Sequence, residues 1–216
     1  MSYSTSVSLP PRLHEQALAA TLHLVDEMQS HRPTIADVAA RLDIPQSSLR
    51  TLFKDDTALL IAAAEQALVI LIDNCTRAVV KVDPDDPVAQ FVALGDVYIE
   101  WAGRHQAEFR LLSDSRLLDS LQTPALRRYL DSLANLMLRM LSRAKDQGRL
   151  HPREDTDMLA LSARSFAFGV ARMIVDGRME EWAPGRDPVE AGKHLTRDFV
   201  RRMARSSQPQ NTLNDL

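Results

Sequence analysis

Apolar side chains recur at intervals of three and four along most of this chain, the spacing that lines one face of an α-helix. The pattern breaks most informatively over residues 34–53, TIADVAARLDIPQSSLRTLF. Ile35, Val38, Ala39 and Leu42 form one apolar face. Thr34 stands where its hydroxyl caps that helix, and Asp37, three residues on, supplies the acidic half of a capping box. Leu42, Asp43 and Ile44 make a tight turn. Pro45 suits the first turn of a second helix, where its missing N–H costs nothing. Leu49, Leu52 and Phe53 supply the buried face of that helix. Gln46, Ser47, Ser48, Arg50, Thr51 and Lys54 stay outside, and such side chains read base edges and phosphates. The spacing predicts a helix-turn-helix, with Thr34 and these six as DNA contacts. Two short amphipathic helices around a turn also occur in helical proteins that never meet nucleic acid, so the segment alone leaves both readings open.

Elsewhere the same periodicity predicts helices over residues 11–29, 57–82, 88–104, 107–118 and 124–147. Asp83-Pro84-Asp85-Asp86-Pro87 separates the second of these from the third. Phe91, Leu94, Val97, Tyr98 and Trp101 give the third one apolar side. Gly148 closes the fifth. Pro152 opens a helix that runs to about Asp176-Gly177, with Leu159, Ala163, Phe166, Val170, Met173 and Ile174 on one side. A polar loop with Pro184, Gly185 and Pro188 leads to a last helix over 189–205. The reading is all-α, about nine helices with no strand, and a polar, disordered tail over 206–216.

Composition narrows this picture. With 45% hydrophobic and 25% charged residues in 216, the chain is an ordinary globular protein large enough for two helical domains. Its net charge of −3 draws neither nucleic acid nor an anionic membrane by bulk attraction. Residues 12–57 carry five basic and seven acidic side chains, an excess of two negative charges that predicts weak DNA binding with a shallow salt dependence. The single cysteine, Cys75, excludes an intramolecular disulfide and fits a reducing cytoplasm. It reads as a small buried residue, with a redox sensor as the sharper alternative. Glu65, Gln66 and Asp73 interrupt the best apolar run, so no membrane span is expected. The N-terminus lacks a signal-peptide pattern. The six histidines are scattered without ligand spacing, and neither a phosphate loop nor a nucleophile elbow is present, so no metal, cofactor or catalysis is expected.

The motif resembles the TetR family of transcriptional regulators. It opens with Thr34-Ile35, carries Val38-Ala39 four residues on, and ends its second helix on Leu49 and Phe53. A supporting helix precedes it and a long fourth helix follows. The chain departs from the family at Asp43, where a turn glycine is usual. It departs again at Arg50 for a phosphate-binding Tyr, Leu52 for a His, and Asp56 for a Lys at the start of the fourth helix. The last change is expected to turn a negative charge toward the DNA backbone. The stretch from Gly95 to Ala102, then Phe109-Arg110-Leu111-Leu112, is similar to a common effector domain of this family. So are residues 144–150 and the helix centred on Phe168-Gly169, where a His-Gly pair is usual.

The resemblance implies a three-helix DNA-binding domain over 10–55 and a helical-bundle effector and dimerisation domain over 56–205. It implies a homodimer joined through the last two long helices, for which Phe166, Val170, Met173, Ile174, Leu195, Phe199 and Met203 are suitable apolar stripes; the alternative is that these side chains pack inside one chain. It implies a small apolar effector lined by Tyr98, Trp101, His105, Phe109, Met137, Met140, Arg164 and Phe168. It implies a cytoplasmic repressor that grips a palindromic double-stranded DNA operator and is released by its effector. The alternative is a dimer of the same shape that has weakened or lost DNA binding and serves as a ligand- or protein-binding module.

Overall fold

The computed structural model describes residues 11–28 and 31–206. It has ten helices: α1 Pro11–Met28, α2 Ile35–Leu42, α3 Gln46–Arg50, α4 Asp56–Val80, α5 Pro87–Arg104, α6 Gln106–Ser113, α7 Pro124–Asp146, α8 Thr156–Val175, α9 Arg178–Trp182 and α10 Pro188–Ser206. No strand occurs among the described residues. Of the tail expected to be disordered over 206–216, Ser206 instead closes α10, and 207–216 lie outside the described residues.

Local chemistry sets most boundaries. Thr34 and Asp37 form the capping box of α2. Asp43 then takes the left-handed conformation, φ 52° and ψ 48°, that a turn glycine would otherwise supply. Asp86 caps α5 by accepting from the Ala89 amide, with Pro87 at the first helical position. Asp155 caps α8 by accepting from the amides of Asp157 and Met158, so that helix starts later than Pro152 suggested. The helix expected over 107–118 stops at Ser113. The loop expected after α8 contains α9, whose Met179 is buried; this accounts for the tenth helix.

Two compact units partition the chain. The first holds residues 1–67 and 107–126, and the second holds 68–106 and 127–216. In the first, Leu18, Val25, Ile35, Val38, Leu49, Leu59, Leu60 and Leu111 form the core. In the second, α5, α8 and α10 pack mutually. Both α4 and α8 are long and apolar enough to cross a membrane on composition alone, contrary to the sequence expectation. Part of that apolarity serves internal packing: Leu59, Leu60, Ala63 and Ala64 of α4 and Ala163, Ala167 and Ala171 of α8 are buried. Cys75 is buried too, and desolvation pushes its thiol up to about 12, so it stays protonated and unreactive at neutral pH.

The α5–α8–α10 packing depends on close approach. A Cβ at Gly192 would lie 2.7 Å from Ile174 Cδ1, 3.0 Å from Ile99 Cγ2 and 3.1 Å from Val170 Cγ1. A Cβ at Gly103 would lie 2.5 Å from Val189 Cγ2. Asp96 of α5 then receives Arg197 Nε of α10 at 2.8 Å on both carboxylate oxygens. Arg143 of α7 donates to the buried Gln90 side chain at 3.0 Å and to the Pro84 carbonyl, fixing the start of α5.

Gly192→Ala is therefore expected to destabilise the protein by about 1–3 kcal/mol through overpacking, despite the better helix propensity of alanine. Urea unfolding of the two proteins checks this. Equal midpoints would mean that α10 has room to retreat.

Candidate functional site

The helix-turn-helix rests on carboxylates placed at helix starts. Thr34 Oγ1 accepts from the Asp37 amide at 3.2 Å and donates to Asp37 Oδ2 at 2.6 Å. The Thr34 amide also donates to that oxygen at 2.9 Å. These bonds, hydroxyl first and amide second, hold the Asp37 pKa below 3.8. Asp56, the first residue of α4, accepts from the Ile35 amide at the start of α2, at 2.8 Å. Beside it, Arg32 donates to Thr57 Oγ1 at 2.6 Å. Asp55 accepts from the Ala58 amide at 2.8 Å and so caps α4.

This corrects the expectation for Asp56. Its carboxylate is turned inward to an orphan helix-start amide, where negative charge is favourable, and is not spread toward a DNA backbone. The same holds for most of the acid excess. Glu27 pairs with Arg41, which lowers the Glu27 pKa, and Asp26 pairs with Arg110. With Asp37, Asp55 and Asp56, five of the seven acidic groups are thereby committed to caps or ion pairs.

Leu49 and Phe53 root α3, with the Phe53 ring 5.3 Å from that of His14 on α1. Gln46, Ser47, Arg50, Thr51 and Lys54 are exposed. Among the described residues, Arg50 and Lys54 have no ionic partner. Ser48 is half-buried, and its carbonyl accepts from Thr51 Oγ1 at 2.7 Å. Thr34 is half-buried, with its hydroxyl occupied by the capping box. Sequence reasoning missed the distant partners of Asp56 and Arg32, the Ile35 amide and the Thr57 hydroxyl. The Asp55-Asp56 pair ahead of an apolar run was the available signal for the cap.

In the second unit, Tyr98, Trp101 and His105 form a row along α5, with ring centroids 6.4 Å and then 6.0 Å apart. Trp101 is only 3% exposed, and its Nε1 has no hydrogen-bond partner among the described residues. Desolvation raises the pKa of the half-buried Tyr98, and Arg164 of α8 opposes that rise. Arg164 itself is exposed. Met140 is buried and Met137 half-buried on α7. Phe109 is buried in the first unit. Phe168 is 41% exposed on α8.

The expected dimer residues divide as well. Val170 and Ile174 are buried inside the chain against Gly192, which removes them from any outer face. Phe166 and Phe199 stack with centroids 4.4 Å apart, and both are half-buried, as are Met173 and Met203. Leu195 is 42% exposed on α10, while Met158 and Leu161, each 55% exposed, lie with Phe168 on the outer face of α8.

Residues 91–199 match the sequence profile of the tetracyclin repressor-like C-terminal domain. No curated protein matches the chain in sequence. Among solved structures, the fold is similar to a protein with unknown function from Rhodococcus sp. RHA1 (20% identity, 93% of this chain and 99% of that one, TM-score 0.73). It is similar to the fatty acid degradation regulator FadR of Bacillus halodurans (13% identity, 89% and 96% covered, TM-score 0.71). It is also similar to the ketosteroid transcriptional regulator KstR2 of Mycobacterium tuberculosis (15% identity, 94% and 97% covered, TM-score 0.68).

The capping carboxylates give a prediction with a definite sign. Asp56→Ala leaves the Ile35 amide without its acceptor and costs about 1 kcal/mol, whereas Asp56→Asn keeps an oxygen there and costs less. Because folding lowers the Asp37 pKa, its stabilisation is complete above 3.8 and is lost as pH falls through the depressed folded value. Asp37→Asn removes that acid-limb contribution. Urea midpoints measured across the acid range test all three variants. An unchanged acid limb in Asp37→Asn would count against the assignment.

Proposed function

We infer that this chain, which belongs to the tetracycline-repressor-like family of transcriptional regulators, is a ligand-responsive DNA-binding dimer of the cytoplasm, most simply a repressor. The exposed face of α3 carries this reading. Arg50 stands there and Lys54 follows four residues beyond the end of α3, both without ionic partners among the described residues, beside Gln46, Ser47 and Thr51, in a segment rooted by Leu49 and Phe53. Arg50 takes the place of the family's phosphate-binding Tyr and offers a fork for either a phosphate or a guanine edge. Two such helices in one dimer favour a palindromic operator with half-sites one DNA turn apart. A small apolar effector releases the operator by binding the DNA-free form more tightly. A second reading, a dimer of the same shape without effective DNA binding, draws on the acid excess of residues 12–57 and on Leu52 in place of the family's His.

The dimer is assigned to the outer faces of α8 and α10. Leu161, Phe168 and Leu195 are large apolar side chains left exposed by the chain's own packing, and a second copy covers them at a twofold axis. The inner residues Val170 and Ile174 support this interface from behind.

Two expected outcomes test the proposal. In fluorescence anisotropy against DNA from upstream of its own gene, binding should be saturable and absent for random DNA. If Arg50 and Lys54 of both protomers meet phosphates, log K should fall with log salt at a slope of about −4, and Arg50→Ala or Lys54→Ala should each flatten it by about 2. Binding that ignores both substitutions would transfer the case to the second reading. For the interface, Phe168→Glu should convert the dimer into a folded monomer in sedimentation velocity, and a dimer that survives it would place the interface elsewhere.

A further inference from the structure

The inference concerns the chemical class of the effector, and it rests on reading the second unit as an effector domain. Helix α5 has two unlike faces. Gly95, Ile99 and Gly103 fall on one, closed against α8 and α10. Leu94, Tyr98, Trp101 and His105 fall on another side, centred about 130° round the helical wheel. Trp101 sits in the middle of that aromatic row, 3% exposed, with an indole N–H that meets no acceptor among the described residues. An unpaired buried donor costs about 1–3 kcal/mol, and a phenylalanine at this position would stack on its neighbours without that cost.

The indole N–H is a donor only, so whatever satisfies it must accept. The surrounding charges decide what kind of acceptor. A buried carboxylate would need a cation beside it. Arg104 is paired with Glu100 at 2.6 Å, and Arg197 is held by Asp96. Arg164 acts on Tyr98 from an exposed position, and His105, the row's own titratable ring, is stacked on Trp101 and engaged by a further contact. The row therefore suits a neutral acceptor on an apolar body. We propose that the effector is an apolar molecule bearing a neutral carbonyl group, and that the Trp101 indole N–H is the donor that recognises it.

The chain carries its own control, because its other tryptophan, Trp182, is 76% exposed on α9. Three probes of matched shape separate the possibilities: 2-acetylnaphthalene, the hydrocarbon 2-isopropenylnaphthalene and 2-naphthoate. The full-length protein, labelled with nitrogen-15, is titrated with each while its two indole N–H resonances are followed. The ketone should bind about tenfold more tightly than the hydrocarbon, and it should move the Trp101 indole proton downfield while Trp182 stays in place. Trp101→Phe should bring ketone and hydrocarbon to equal affinity without abolishing hydrocarbon binding.

Equal affinities in the unmodified protein would overturn the proposal. So would naphthoate binding most tightly, a shift confined to Trp182, or no binding by any probe. The titration of the unmodified protein holds whether or not Trp101→Phe folds well. Operator binding measured on the same preparation separates the two levels. Specific DNA binding with no ketone preference removes this inference alone, while ketone recognition in a protein that ignores DNA removes the regulator reading alone.

Discussion

The approach of α10 to α5 and α8, so close that a methyl group at Gly192 would meet Ile174 at 2.7 Å, decides how the second unit distributes its chemistry. A contact that tight uses up one face on each helix. On α5 it consumes the glycine face and leaves the aromatic row on another side. On α8 it draws Val170 and Ile174 inward, so the apolar residues that remain exposed are Met158, Leu161 and Phe168. A looser crossing with larger residues at these positions would spread the apolar surface differently. The side chains that this packing leaves on the other faces of α5 and α8 are thus set by one steric condition.

The first unit follows an electrostatic rule. Its excess of acid looks hostile to DNA when counted, yet charge acts from where it is placed. Carboxylates at helix starts accept from amides that have no partner inside the helix, and they sit where the helix dipole favours negative charge. Asp37, Asp55 and Asp56 occupy such places, and Asp26 and Glu27 are met by guanidinium groups. Arg50 and Lys54 remain exposed without ionic partners among the described residues, a placement that the formal sum of the segment does not reveal.

What the sequence made legible was local. The capping box at Thr34, the left-handed turn at Asp43 and the ends of the long helices all depend on residues within a few positions of each other. Periodicity also identified the apolar side of α8 but not what that side would meet, since a spacing of three and four names a face and no partner. Phe168 and Val170 therefore changed places: one looked internal and is exposed, the other looked available and is covered. Asp56 was misread for a related reason. Its partner is an amide twenty-one residues away, and nothing in a linear pattern brings residue 35 to residue 56. The short α9 was hidden among polar residues, where only the burial of Met179 distinguishes it from a loop.

The bonds between α2 and α4 also limit how the DNA-binding motif is moved. Asp56 to the Ile35 amide spans 2.8 Å and Arg32 to Thr57 spans 2.6 Å, and both link the first turn of α4 to the start of α2. Sliding α4 past α2 by more than about 1 Å would stretch both beyond useful hydrogen-bond range. It would leave a helix-start amide without its acceptor, at a cost of about 1–3 kcal/mol. That cost is as large as a typical coupling free energy between two binding sites. An effector with only that much energy to give cannot spend it on breaking this junction and still shift the DNA equilibrium. A displacement of the first turn of α4 therefore carries α2 with it, and α3 follows through the packing of Leu49 in the same core. In this chain the residue that first looked like an obstacle to DNA binding is the one that obliges the motif to move as a single body.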